Sequence, residues 1–81
     1  MDSKDRNSLL GWVSPIITLM KKGTQFDVRH LFGITSWESF PLERKELIAQ
    51  TFFDIANKEL KESISICQLD DNLFIQRYTK S

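Results

Sequence analysis

Residues Pro41–Leu60 read PLERKELIAQTFFDIANKEL and form the longest periodic segment of the 81-residue chain. On a helix with about 3.6 residues per turn, its apolar side chains share one face: Leu42, Ile48, Ala49, Phe52, Phe53, Ile55, Ala56 and Leu60. The opposite face is polar and carries Arg44, Glu46, Gln50, Thr51, Asp54, Asn57 and Lys58. An apolar arc wider than about 100° is typical of a helix that packs against a core. We therefore predict that this segment is the central helix of the domain.

An apolar segment near the N-terminus predicts a first helix. Ser14 and Pro15 are typical of a helix start, because the N–H that proline lacks would be unpaired at that position. The cations and glycine of Lys21–Gly23 are typical of a helix end. Residues 9–13 form an alternative first turn of the same helix, which would then be kinked at Pro15.

The segment between these two helices predicts a strand and a short helix. Thr24–Phe26 is predicted as a strand, with its phenylalanine pointing inward. Asp27 is a typical N-cap for a helix over Val28–Phe32, and Gly33 is a typical residue after a helix end. We interpret Ile34–Phe40 as a connector to the long helix.

The C-terminal part of the chain changes from helical to alternating periodicity. Ile64–Gln68 and Leu73–Tyr78 alternate between apolar and polar residues, and the turn-rich Leu69–Asn72 separates them. This pattern predicts a β-hairpin. Thr24–Phe26 would supply a third strand, which a small sheet needs for stability.

The predicted fold class is α+β, a winged helix-turn-helix-like domain with three helices, a small antiparallel sheet and a C-terminal hairpin. Residues 1–7 are predicted as a flexible N-terminus, and residues 8–81 as a single domain, because a chain of this length supports only one core.

Composition excludes several classes of protein. Eleven Lys and Arg residues balance eleven Asp and Glu residues, and a net charge of zero is atypical of a protein that binds nucleic acid tightly. One cysteine excludes an internal disulfide framework and suits a reducing cytoplasm. No apolar run reaches the roughly 20 residues that span a bilayer. We therefore expect a cytoplasmic protein without a membrane partner.

The residues that could perform chemistry do not form a recognisable pattern. Gly23 is better explained as a helix-ending glycine than as part of a phosphate-binding loop. His30 and Cys67 have no spacing typical of a zinc site. Cys67 lies within an alternating apolar pattern, where a small buried residue is common. We therefore expect no enzyme activity, no metal site and no cofactor.

Much of the chain resembles a small uncharacterised domain family of phages and Gram-positive bacteria, whose function is unknown. The residues that carry this resemblance are Lys22–Val28, Leu31-Phe32, Trp37–Phe40 and the pattern Arg44…Leu47…Phe52-Phe53. The resemblance covers roughly residues 21–80 and implies a winged-helix-like fold and a mobile-element context. It implies no activity and no catalytic residues. In that family a glycine is common near the position of Ala49, where alanine is the better helix former.

The first functional hypothesis is a non-catalytic regulatory protein of a phage or mobile element that binds DNA. The long helix would enter the major groove, and the DNA-binding residues would be Arg29, Arg44, Gln50, Asn57 and Lys58. The charge pattern argues against this hypothesis, because acidic side chains share the helix face with the cations and the hairpin turn is acidic.

The alternative hypothesis is a protein-interaction module, such as an antirepressor or an inhibitor of a host protein, that does not bind DNA. Its candidate residues are the aromatic Trp37 and Tyr78 and the acidic Asp70 and Asp71 at the hairpin turn. The partner would be a host or phage protein, and a homodimer is a further option.

Overall fold

The computed structural model describes residues 3–81, and this part of the chain contains four helices and three short strands. In chain order the elements are α1 (Ser3–Thr18), β1 (Gln25–Phe26), α2 (Val28–Phe32), α3 (Ile34–Glu38), α4 (Leu42–Asn57), β2 (Ile64–Ile66) and β3 (Tyr78–Lys80). The strands form one antiparallel sheet in which β3 lies between β1 and β2. The predicted α+β class and the three-stranded antiparallel sheet are confirmed, but these residues form four helices rather than the predicted three. The last two strands pair with each other as a hairpin would, but the second predicted strand, Leu73–Tyr78, is wrong, since β3 shares only Tyr78 with it.

Helix α1 does not begin at Ser14 but runs through Ser14 and Pro15. The hydroxyl of Ser14 donates to the carbonyl of Leu10 at 2.7 Å, as it can only inside a helix. An interior proline costs about 3 kcal/mol because one helical hydrogen bond is lost. Burial of one face of the helix offsets that cost, and the buried side chains are Leu9, Val13 and Ile17.

Residues 3–7, predicted as part of a flexible N-terminus, form the first turns of α1. The guanidinium of Arg6 donates to Asp54 Oδ2 at 2.8 Å and to Glu59 Oε1 at 2.7 Å. These bonds tie the start of α1 to the end of α4 and to the turn that follows it. Residues 1 and 2 of the predicted flexible segment lie outside the described residues.

The predicted N-cap of α2, Asp27, is confirmed, and His30 completes a reciprocal capping box that was not predicted. The Asp27 carboxylate accepts from the backbone N–H of Arg29 at 2.9 Å, and His30 Nδ1 accepts from the backbone N–H of Asp27 at 3.1 Å. Gly33 ends the helix with φ of 83°, a left-handed conformation that only glycine adopts without strain. The cap therefore fixes α2 between β1 and the next helix.

The segment Ile34–Phe40 was interpreted as a connector, but its first five residues form α3. Pro41 lies at the N-cap position of α4. The helix ends at Asn57 rather than at the predicted Leu60. Leu60 is nevertheless buried, because the turns after α4 fold it onto the core. Leu42 was placed on the apolar face but is 64% exposed at the first turn of the helix.

The hairpin has a longer connection than its sequence suggests, because β3 begins only at Tyr78. The preceding residues form an irregular loop around the buried amide of Gln76. That amide accepts from the backbone N–H of Asp70 at 2.7 Å and donates to the carbonyl of Gln68 at 3.1 Å. These bonds satisfy loop backbone groups that a regular strand would have paired within the sheet.

Three aromatic rings join the sheet to the long helix. The Tyr78 ring packs edge-on against Phe52 with a centroid distance of 4.9 Å, and it stacks on Phe26 at 5.7 Å. Phe52 and Tyr78 are completely buried. This cluster lies at the centre of the core.

We predict that Phe52→Ala lowers the free energy of unfolding by about 3–5 kcal/mol, because it empties a fully buried aromatic site. Phe53→Ala is the matched control and should cost less, since Phe53 is only half-buried. Urea denaturation followed by circular dichroism measures both values. Equal losses for the two variants would show that α4 buries a different face.

Candidate functional site

Among residues 3–81, no group of His, Cys, Asp and Glu side chains could hold a metal ion. His30 uses Nδ1 in the cap of α2. Cys67 Sγ shares a hydrogen bond of 3.0 Å with Thr79 Oγ1 in the sheet. The hydrogen bonds described for His30 and Cys67 are thus made to the cap of α2 and to Thr79, and not to each other.

Arg29, a predicted DNA-binding residue, lies on α2 rather than on α4, and its guanidinium pairs with the carboxylate of Asp27. Its Nη2 donates to Asp27 Oδ2 at 2.6 Å. Burial of Asp27 raises the pKa of its carboxyl, but the side-chain hydrogen bond of Arg29, the electrostatic effect of His30 and the charge of Arg29 together outweigh that effect. The pKa of Asp27 therefore lies below its ordinary value of 3.8. Arg29 serves the cap of α2 and leaves only part of its surface to solvent.

The other four predicted DNA-binding residues lie on or at the end of α4, but two of them are engaged locally. Asn57 Nδ2 donates to the carbonyl of Phe53 at 2.9 Å, and Lys58 Nζ lies 3.2 Å from Asp54 Oδ1. Arg44 lies 5.9 Å from the centre of the Phe40 ring, and Gln50 is exposed. Arg29 thus lies on a different helix from the other four predicted residues.

Acidic side chains lie next to the exposed face of α4. Asp71 of the loop before β3 and Glu46 of α4 line the same groove of about 530 Å³, beside Gln50. Asp70 and Asp71 are both exposed, as predicted. Negative charge at this position repels phosphate groups, which weighs against contact of this loop with DNA.

Trp37 and Tyr78 were expected on an interaction surface, but both lie in the core. Trp37 is 2% exposed and packs edge-on against Phe40 and Phe74. Tyr78 has no exposed surface, and its hydroxyl has no hydrogen-bond partner among the described residues. Burial raises the pKa of Tyr78. Neither side chain can contact a partner without unfolding, so both are removed from that surface.

A groove between α1 and α4 is lined mainly by apolar and aromatic side chains. Its volume is about 360 Å³. The Trp12 ring lies nearly parallel to Phe32, with centroids 6.3 Å apart and planes inclined by 12°. We call this the α1–α4 groove, and its apolar lining consists of Leu9, Trp12, Phe32, Phe40, Leu47 and Ile48.

The solvent-facing side of α1 adjoins this groove and carries no charge beyond the first turns of the helix. Trp12 is 57% exposed and Leu19 is 86% exposed, whereas an exposed helix face normally carries charged residues. We call this surface the α1 outer face, and its residues are Ser8, Gly11, Trp12, Pro15, Thr18 and Leu19. The α1 outer face was not predicted from the sequence. Its signal in the sequence is that no charged residue occurs between Arg6 and Lys21.

Comparisons of this chain with protein-family models, with curated proteins and with solved structures found no match. The resemblance to the phage and Gram-positive domain family therefore stays a prediction from its motif residues. No described helix is long and apolar enough to cross a membrane.

We predict that the Asp27–Arg29 pair makes stability depend on pH. Because the pKa of Asp27 is lowered in the folded state, its contribution is present above about pH 4 and is lost as the pH falls through the folded pKa. The difference in unfolding free energy between wild type and Asp27→Asn should therefore shrink from about pH 5 to about pH 2. Asparagine keeps the capping oxygen, so this comparison isolates the charge.

The control is Arg29→Gln, which removes the cation of the same pair. It should flatten part of the acid limb of the stability profile, because the Arg29 side chain is one of the groups that lower the pKa of Asp27. The double variant should flatten the limb further, but by less than the sum of the two single effects, because the two residues share one interaction. Additive effects of the two substitutions would contradict the assignment. Chemical denaturation at each pH provides the measurement.

Proposed function

We propose that this chain is a non-catalytic protein-binding module. Its binding surface is the α1–α4 groove together with the α1 outer face. The observation that carries the proposal is the half-exposed indole of Trp12, which stands on an uncharged surface beside an aromatic-lined groove. A host or phage protein is the partner class that fits the mobile-element context of the resemblance.

The chemistry of this surface is that of a protein interface core. Such cores are depleted of charged residues and enriched in aromatic residues, and tryptophan is among the residues that contribute most to binding. Leu47 of α4 is 40% exposed at the side of the groove. An apolar helix of the partner that covers Trp12 and Leu47 would remove their surface from water, which is the main favourable term in association.

Two charged residues of opposite sign line the groove, Arg44 of α4 and Asp5 of α1. Arg44 lies over the ring of Phe40 at 5.9 Å. A guanidinium at the rim of an apolar site recognises carboxylates in a defined geometry. We infer that the partner presents an apolar ridge to the groove, with polar residues at its edge beside Arg44 and Asp5.

DNA binding through a winged helix is the second candidate function. The order of the elements, a helix, a strand, helices and a hairpin, with β3 central in the sheet, favours a winged-helix topology. Arg44 and Gln50 are exposed on the helix that would enter the major groove. The acidic groove formed by Glu46 and Asp71 and the zero net charge weigh against this function.

We predict that a photo-crosslinking amino acid in place of Trp12 forms protein adducts in cells that contain the chain naturally. The matched control is the same amino acid in place of Leu69, which is 73% exposed but lines a different cavity. Adducts at position 12 and none at position 69 are expected after irradiation, with masses read by immunoblot and mass spectrometry. Equal adduct formation at both positions, or none at position 12, would contradict the proposal.

We predict no binding of random duplex DNA at about 50 µM protein and low salt, where attraction to phosphates is strongest. Fluorescence anisotropy of a labelled duplex measures the binding. A second variant, with Glu46→Gln and Asp71→Asn, removes the acidic side chains on and beside α4. It tests whether these two carboxylates are what prevents binding. Salt-dependent binding by the wild type would favour the winged-helix function instead.

A further inference from the structure

We propose a second binding site, separate from the α1–α4 groove, that takes the phosphate group of a small organic molecule. It lies on the outer face of the sheet, where the start of β3 meets the junction of β1 and α2. A cavity of about 230 Å³ marks the position. We call it the Arg77 cavity, and its lining residues are Gln25, Phe26, Asp27, Arg29, His30 and Arg77.

The backbone holds Arg77 in a fixed position beside the sheet. Its carbonyl accepts from the backbone N–H of Cys67 at 3.1 Å and from Gln76 Nε2 at 3.0 Å. The next residue, Tyr78, is completely buried. Because side chains alternate along an extended chain, Arg77 is directed to the opposite, solvent-facing side of the sheet. Its guanidinium therefore starts from an ordered position and not from a loose loop.

The cavity contains one free cation and one partly engaged cation. The Arg77 side chain is exposed, and it forms no hydrogen bond or ion pair with any residue from 3 to 81. Arg29 uses Nε and Nη2 for Asp27 and keeps Nη1 as a donor. The Asp27 carboxylate accepts four hydrogen bonds from Arg29, and its side chain is only 5% exposed. The cavity thus presents an excess of positive charge.

The capping box of α2 turns His30 into a further donor. Its Nδ1 accepts from the backbone N–H of Asp27 at 3.1 Å, so the neutral imidazole carries its proton on Nε2. The side chain is 54% exposed, and Nε2 has no hydrogen-bond partner among the described residues. The exposed amide of Gln25 lines the same cavity. The cap therefore fixes the tautomer that offers an N–H to the cavity.

This set of donors selects an oxyanion, and within that class it favours phosphate. Arg29, His30 and Arg77 offer three separate N–H groups, and the one carboxylate among them is already occupied. A phosphomonoester has three acceptor oxygens and about two negative charges at neutral pH, whereas a carboxylate has two oxygens and one charge. Guanidinium groups bind phosphate through paired N–H bonds. A cationic ligand would instead be repelled by the two arginines.

An adjoining cavity of about 530 Å³ has room for the rest of the molecule. The two cavities share the lining residues Asp27, Arg29 and Arg77. The volume of the larger one is typical of small-molecule sites, and that of the smaller one is below this range. Leu69 is 73% exposed and Ile75 is 42% exposed at the larger cavity, which Asp70 also lines. The phosphate thus belongs in the Arg77 cavity, and an apolar body would cover Leu69 and Ile75.

An NMR titration of the isotope-labelled chain with inorganic phosphate at about pH 7 and constant ionic strength tests the site. Saturable shifts are expected at the side-chain N–H groups of Arg29 and Arg77 and at the His30 ring, with a Kd of about 1–10 mM. Acetate should bind more weakly than phosphate. Phenyl phosphate, the probe for an apolar body, should bind about fivefold more tightly than phosphate and shift the methyl groups of Leu69 and Ile75.

Arg77→Gln is expected to weaken the binding of inorganic phosphate about tenfold. Arg77→Lys should weaken it less than that, because lysine keeps the charge but loses the paired N–H geometry. The melting temperature should not change, since both substitutions leave the backbone bonds of this residue in place. The matched control is Lys61→Gln, which removes a cation from an exposed position that lines neither cavity and should bind phosphate like the wild type.

The absence of saturable shifts up to about 50 mM phosphate would overturn the inference. Equal weakening by Arg77→Gln and Lys61→Gln would overturn it too, because the attraction would then come from surface charge in general. Acetate binding as tightly as phosphate would contradict the ligand class, and phenyl phosphate binding no more tightly than phosphate would contradict the apolar body. A phosphoserine peptide that binds about tenfold more tightly than phenyl phosphate would make a phosphorylated protein segment the occupant instead. The proposed function stands or falls separately, with the crosslinks from position 12.

Discussion

The contact of three aromatic rings, Phe26, Phe52 and Tyr78, is the constraint on which this structure depends. Each ring comes from a different element, β1, α4 or β3, and the Tyr78 ring lies within 5.7 Å of both others. The strands have two or three residues each, too few to form a stable sheet alone. Because β3 is the central strand, its attachment to α4 also fixes the positions of β1 and β2.

Once the sheet and α2 cover one side of the core, α1 can cover only the remaining side of α4. The inner face of α1 is buried. Arg6 in its first turns donates hydrogen bonds to Asp54 near the end of α4 and to Glu59 in the turn that follows. This arrangement leaves Trp12 at the edge of the interface, stacked on Phe32 but still half-exposed. The proposed binding surface is thus a consequence of how α1 closes over the core.

The candidate site could be predicted only in part. The exposure of Asp70 and Asp71 follows from a turn-rich sequence, and the exposed face of α4 follows from its periodicity. The burial of Trp37 could not be read in the same way, because it depends on rings from two distant segments, Phe40 and Phe74, that enclose it. The half-exposure of Trp12 could not be predicted either, because it depends on how α1 packs beside Phe32.

Local sequence by itself determined the cap of α2, the apolar face of α4 and the alternation that makes the C-terminus a hairpin, because each depends on residues a few positions apart. Tertiary structure decided the rest. Pro15 remains inside α1 because buried neighbours outweigh its missing hydrogen bond, and β3 starts late because the buried amide of Gln76 holds the preceding loop. In both cases the deciding free energy comes from contacts between segments that the sequence does not place side by side.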